Sequence, residues 1–461
     1  MARILFSLFS NINWLADSTI DPFYEGFINS LIEHGNEVLL IRTNGFLSTT
    51  YDNTLFNHIS EKKLKLTALQ FNPDLIIAAN NHIPQALLNS LECPILLWSS
   101  DSPSWYSDID YIKKNIDRYK FFHHGYNDAH LKICQEMFNA KISQNFSIGH
   151  VSSLVTKDLP IKNNIVYIGT VGYPHHLIDY LKYNCKNNSE FKRLHDYYLK
   201  VAKSPFDNLK ERFNTSLGLN DFLHTITANN RIKTLDSISD LGLKVYGYPS
   251  NFFDVTPYSM DLAFCFDYTP ITSMVETEYI LNASKIGINL FNAQAISGFS
   301  WRVADIMASN ACLISPNKPD LAKLSPYIKM PTFDSPQEAR ELCQKLLKDE
   351  IWRKDVVVAS QKAIEEHGRF KHKFKIIEEA FNVRLFNDSS KEQNGKLITL
   401  RASNYIKTIY KPIYVVSIKI GSSGFLKKWI KKIIILSLKF IPKTFLKKIY
   451  HFLLSVKNEA L

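Results

Sequence analysis

The run from Ser297 to Ile314 holds the residue types most suited to chemistry in this chain. Gly298 marks a turn, Phe299 and Ser300 lead into a helical pattern, and Arg302 and Asp305 fall one turn apart on it. Small residues at Ala308, Ser309 and Ala311 then close the helix ahead of an apolar strand from Cys312. A loop of this kind offers backbone N–H groups and a helix N-terminus to a diphosphate. Arg302 adds a planar cation, and Asp305 has two oxygens that could accept both hydroxyls of a ribose. The same residues also fit an amphipathic helix on a sheet, with Arg302 and Asp305 as a surface pair.

A group transfer also needs a proton acceptor. Asp101 lies just past the apolar run Ile95–Trp98, where a strand of a parallel sheet would deliver it to the ligand edge. Its alternative role is to cap the Ser-Pro-flanked turn that follows. His82, after Leu75–Ala79, is the second candidate, although a lone strand-end histidine more often has a structural role. The neighbours His123 and His124 project to opposite faces of a strand, so they do not form a metal pair.

These residues need a framework, and the first 150 residues supply one. Ile4–Phe9, Val38–Ile41, Leu75–Ala79, Ile95–Trp98 and Tyr119–His123 read as buried strands. Phe23–Glu33 and Ser60–Gln70 have helical spacing, and Gly35 follows as a helix stop. Strand–helix alternation predicts a doubly wound parallel sheet. Ile165–Gly169, Leu243–Tyr246, Leu262–Phe266, Ile286–Phe291 and Cys312–Ser315 predict a second such sheet after a polar stretch at 156–164. The predicted organisation is a first domain over 1–155 and a second over 164–386. A helical insertion falls at about 176–240, a polar linker at 387–396, and a basic tail at 397–461. Two such domains leave a cleft between the carboxyl edges of their sheets.

Composition narrows the function classes. Six scattered cysteines, with no CxxC pair, suit a reducing cytoplasm. The apolar start breaks at Asn11 and Asn13, so it reads as a first strand and not as a signal peptide. Residues 421–461 carry nine lysines against one glutamate, which accounts for most of the net charge of +11. The body is therefore close to neutral, which disfavours a nucleic-acid partner. In the tail, Phe425, Trp429 and Ile433 share one helical stripe, with Lys427, Lys428, Lys431 and Lys432 on the other side. Basic amphipathic helices of this kind lie on anionic membranes.

Several of these segments together resemble glycosyltransferases of the two-domain GT-B architecture, in particular the family-1-like, spore-maturation-type subgroup. The run Gly298 to Ala308 is similar to their nucleotide-sugar loop, with Asp305 where the pattern has its second Glu and Ser297 where it has its first. Tyr279–Leu290, containing Asn282, Ser284, Lys285, Ile286 and Asn289, resembles the strand preceding that loop. Phe333–Glu338, Leu346, Asp349 and Arg353 resemble their late helices, and Arg231 with Leu243–Gly247 resembles an earlier segment.

The resemblance implies an α/β fold of two Rossmann-like domains facing a cleft. It implies a nucleotide-sugar as substrate, no resident cofactor and no metal, since a helix N-terminus and cations stabilise the leaving diphosphate. Gly298, Phe299, Ser300, Arg302, Asp305, Lys285 and Asn289 form the donor set, with Asp101 or His82 as the base. The expected acceptor is a glycan, glycolipid or lipid-linked sugar. With the tail on an anionic membrane, this places the enzyme at the cytoplasmic face, in surface-glycan or lipopolysaccharide-type assembly. Ser297 and Asn310 depart from the pattern and leave open a catalytically inactive scaffold of a membrane assembly.

Overall fold

The computed structural model describes residues 1–9, 20–43, 61–171 (except 104–105, 107–108 and 126–127), 227–247 and 255–400 (except 257, 268–270, 272, 294, 296–297, 325–328 and 388–394). Residues 401–461 of the predicted tail, most of the predicted insertion, and Ser297 lie outside the described residues.

The first sheet is built from β1 (Arg3–Phe9), β2 (Glu37–Thr43), β3 (Leu75–Ala79), β4 (Ile95–Ser99), β5 (Tyr119–His123) and β6 (Asn145–Ser147). The second is built from β7 (Asn163–Ile168), β8 (Leu243–Tyr246), β9 (Phe266–Asp267), β10 (Ser284–Ile288), β11 (Cys312–Pro316) and β12 (Thr332–Phe333). A late strand, β13 (Lys396–Leu400), returns to the first sheet, whose order is β13-β2-β1-β3-β4-β5-β6. The second sheet runs β12-β11-β10-β7-β8-β9. Every pairing is parallel. Helices therefore cover both faces, which is why β3 and β4 are buried at every residue and read as unbroken apolar runs.

Each sheet reverses its strand order at one point. In the first sheet this is between β1 and β3, and in the second between β7 and β10. Ligands of such folds bind outside the carboxyl ends at these crevices.

Helix α1 (Pro22–Glu33) shows how locally the fold is specified. Asp21 caps it by accepting from the Phe23 N–H at 3.1 Å, and Pro22 presets the first turn. Phe23, Tyr24, Phe27, Ile28 and Leu31 form its buried stripe. Each such side chain contributes about 1.5–3 kcal/mol when fully buried. Gly35, at φ 83°, ends the helix in the left-handed region.

Three elements differ from the sequence expectation. Leu262–Phe266, expected as a strand, is mostly the helix Met260–Phe264, with β9 beginning only at Phe266. Ser259 caps that helix through the Leu262 N–H, and this local bond overrides the apolar run. The second domain does not extend to 386. The chain crosses back at Gly368–Arg369, and the helix Phe370–Phe381 buries Phe370, Phe374 and Ile377 in the first domain's core. Lys396 belongs to β13 and not to a linker, pairing with Glu37 at the sheet edge.

Candidate active site

The first-domain side of the cleft is organised by Asn80. This residue follows β3 with φ 48°, a left-handed conformation that asparagine tolerates. Its Oδ1 accepts from the N–H groups of Ser100 (2.8 Å) and Asp101 (3.0 Å). Its Nδ2 donates to Asp101 Oδ2 at 2.7 Å, so one amide fixes both the backbone and the carboxylate of Asp101. Ser99 Oγ donates to the Asp101 carbonyl (3.0 Å), and Tyr106 donates to Ser99 (2.8 Å). Tyr24 and Ser100 share a hydroxyl–hydroxyl bond of 2.9 Å. Asp101 is thus held at the strand end, partly exposed, with the side chain at the end of the neighbouring strand as one partner.

His82 sits beside this cluster but is buried, and its carbonyl accepts from Ser7 Oγ. Burial pushes its imidazole down to about 3. A base that weak accepts a proton poorly near neutral pH, so this placement suits the structural role for His82 better. His123 and His124 diverge as the strand geometry requires. His123 Nε2 lies 3.3 Å from Asn145 Oδ1, whereas the His124 ring packs 4.9 Å from Phe23. Burial drives His123 to about 4 and His124 to about 3.

Across the cleft lies the loop before the short helix Trp301–Met307. Gly298 has φ 76°, and its N–H donates to Asp320 Oδ2 at 2.5 Å. Ser300 Oγ donates to Asn289 Oδ1 (2.9 Å), and Asn289 Nδ2 donates to Ser315 Oγ (3.2 Å). Asn289 therefore ties the loop to the ends of β10 and β11, and Phe299 anchors it in the second core. Arg231 donates to the carbonyls of Thr170 (2.7 Å) and Leu290 (3.1 Å), bracing the β7–β10 crevice.

The two sides meet at this loop. The Trp301 ring stacks on Phe23 at 5.1 Å and 13°, with Tyr24 edge-on at 6.0 Å. Gly125, after β5, faces the Phe299 backbone so closely that a side chain there would collide with the Phe299 carbonyl. Lys323 joins Asp320 (3.1 Å) to Asp128 of the first domain (3.6 Å).

The expected donor residues divide. Gly298, Phe299, Ser300, Asn289 and Arg302 come together at the carboxyl edge of the second sheet. Asp305 is on the same helix but is buried. Its Oδ1 accepts from Ser152 Oγ at 2.8 Å, and its Oδ2 accepts from Arg302 Nη1 at 3.2 Å. Burial raises its pKa, and Arg302 opposes the rise. Asp305 therefore holds Arg302 and the interdomain segment in place, and its oxygens are not presented to a ribose. Lys285 is the second residue of β10, at the amino end, close enough to Glu350 to help depress that carboxyl. It is on the wrong edge of the sheet for a ligand in the cleft.

Two site residues escaped the sequence reading. Lys318, past β11, is partly buried and pushed down to about 8 by desolvation, with its ammonium over the Phe291 ring and bonded to the Ala295 carbonyl. Asp21 caps α1 opposite Arg302, and burial lifts its carboxyl to about 6, with Arg302 opposing and Asp305 assisting the rise. The local signal for Asp21 was the Asp-Pro-Phe helix start, which reads as a cap alone.

Two doubly wound domains, with facing crevices and one loop meeting the other domain's first helix, define the GT-B architecture. No protein-family model and no curated protein matches the chain. Among solved structures it is similar to the sucrose-phosphate synthase of Thermosynechococcus elongatus, with 10% identity over 83% of this chain and 98% of that one, at a TM-score of 0.51. A glycosyltransferase of Rickettsia africae, also 10% identical, gives 0.48 over 83% and 99% of the two chains. HepE of Anabaena in complex with UDP-glucose gives 0.47 at 10% identity over 83% and 100%. The likeness to the synthase shows the fold.

Proposed function

We propose that the chain is a glycosyltransferase that moves a sugar from a nucleotide-sugar donor to an acceptor hydroxyl. The observation that carries this reading is the meeting of two edges in one cleft, with Arg302 on one side and an oriented carboxylate on the other. Arg302, with the N-terminal turn of its helix, would neutralise the leaving diphosphate without a metal. A first-domain carboxylate would take the acceptor proton, Asp101 being the one the sequence singles out.

The acceptor we propose is a glycan or lipid-linked glycan at the cytoplasmic membrane face, in surface-glycan assembly. Its support is the nine-lysine balance of residues 421–461. Among the described residues no helix is long and apolar enough to cross a membrane. A second reading, an inactive scaffold of the same fold, is favoured by the internal bonds of Gly298 and Asp305.

Ligand-observed NMR against UDP-, GDP-, ADP-, CMP- and dTDP-sugars separates the two readings. Selective binding of one donor supports the transferase. A folded protein that binds none supports the scaffold.

A further inference from the structure

We propose that Asp21 is the general base, taking the acceptor's proton across the cleft from Arg302, while Asp101 positions the acceptor. This deepens the transferase reading and rests on it.

The placement comes from topology. Asp21 begins α1, the helix that follows β1, so it lies at the carboxyl edge of the strand beside the first sheet's crevice. Two residues on, Phe23 stacks on Trp301, the residue before Arg302. The start of α1 is therefore pinned against the start of the Arg302 helix. Glu25 reinforces the junction by accepting from the Met274 N–H at 2.9 Å. The Tyr24 hydroxyl, on the first turn of α1, bonds Ser100 beside Asp101 at 2.9 Å, which ties the Asp21 helix start to the Asp101 strand end.

Their surroundings differ in a way that divides the labour. Asp101 Oδ2 already accepts from Asn80, an interaction that favours its charged form. Among the described residues, the Asp21 carboxylate accepts from the Phe23 N–H, at 3.1 Å through Oδ1. Burial, with help from Asp305 and Glu25, lifts Asp21 to about 6 against the pull of Arg302. A carboxylate of that basicity is still mostly ionised at neutral pH and accepts a proton better than an ordinary one.

The step balances. The acceptor O–H proton passes to the Asp21 carboxylate, and the freed oxygen pair forms the bond to the sugar's anomeric carbon. The bond from that carbon to the diphosphate oxygen breaks, and its electron pair leaves with the nucleoside diphosphate beside Arg302. The protonated Asp21 then releases its proton to solvent.

Asp21 is also a helix cap, and the test must separate the two roles. Asp21→Ser and Asp21→Asn both preserve capping, and neither accepts a proton between pH 5 and 9. The full-length protein and both variants are assayed for donor binding across the nucleotide-sugar panel, and for nucleoside diphosphate release with water as acceptor. Both variants are expected to bind donor within threefold of wild type, and release should fall about 10²- to 10⁴-fold. The wild-type rate should rise with pH through a midpoint near 6, a limb that both variants lose. Asp101→Asn should keep that limb. Release unchanged in Asp21→Ser, or a limb that vanishes in Asp101→Asn instead, would overturn the assignment while leaving the transferase reading intact. A wild-type protein that binds no donor overturns both.

Discussion

Replacing Gly125 by alanine drives a methyl group into a place where the two domains meet backbone to backbone. The residue has φ 63°, which costs an L-residue about 1–2 kcal/mol whether the domains are docked or apart. The second effect exists only in the docked state. An added Cβ would lie 2.5 Å from the Phe299 carbonyl oxygen and 3.1 Å from its nitrogen, whereas real Cβ contacts stay beyond 3.0 Å. The donor loop must therefore retreat from the first domain, and the Phe23–Trp301 stack at 5.1 Å shares the displacement. Losing that aromatic pair alone costs about 0.5–1.5 kcal/mol. If the donor binds between docked domains, its affinity falls by about two- to tenfold from the stack, and further from the moved Ser300 and Arg302. Gly242→Ala is the matched control, because Gly242 has φ 80° but meets the Asn164 side chain at the amino ends of β7 and β8, the edge of the sheet opposite the cleft. Both variants should melt a few degrees lower, and only Gly125→Ala should lose donor affinity in a binding titration. Equal affinities for the two variants would refute the docked cleft as the binding state.

Arg302→Lys keeps a charge beside Asp305 but loses the planar fork, so donor affinity should drop about tenfold or more with little change in Tm. Unchanged affinity would remove Arg302 from the site. Nucleoside diphosphate release should survive EDTA, and a loss that Mn²⁺ or Mg²⁺ restores would show that a metal shares the leaving-group role. Acid should destabilise the fold. His82, His123, His124 and His150 are held at about 3 to 4 by burial, so the unfolded chain binds more protons below its histidine pKa near 6.5. Their stabilising effect is complete above pH 6.5 and shrinks as pH falls toward 4, by up to about 1.4 kcal/mol per pH unit for each imidazole. Asp21 and Asp305, raised by burial, act in the opposite sense over the carboxylate range but are fewer. Thermal melts at pH 7 and pH 5 should differ by several degrees, and coincident melts would count against buried neutral histidines.

The parts of the fold legible in the sequence are those whose causes are local. β3 and β4 are apolar at nearly every position because helices cover both faces, and Asp21, Pro22 and Gly35 mark the ends of α1 within a few residues. Gly298, Arg302 and Asn289 were legible for the same reason, since a turn, a cation and a strand end lie close together in the chain. The misreadings trace to partners far away. Asp305 looked like a free acceptor because Ser152, which occupies it, is 153 residues upstream. The helix Phe370–Phe381 reads as the end of the second domain until its phenylalanines are seen against Phe27, whose ring lies 4.7 Å from Phe370. Burial is a property of the closed fold as well. Nothing beside His82 in the chain marks it as too weak a base, and nothing beside Asp21 marks its carboxyl as raised by burial. The pattern of consecutive residues therefore locates the cleft, while the proton-transfer roles within it depend on contacts between residues far apart in sequence. Discriminating Asp21 from Asp101 thus requires the pH dependence of turnover, because both side chains suit a strand-end or helix-start position equally well.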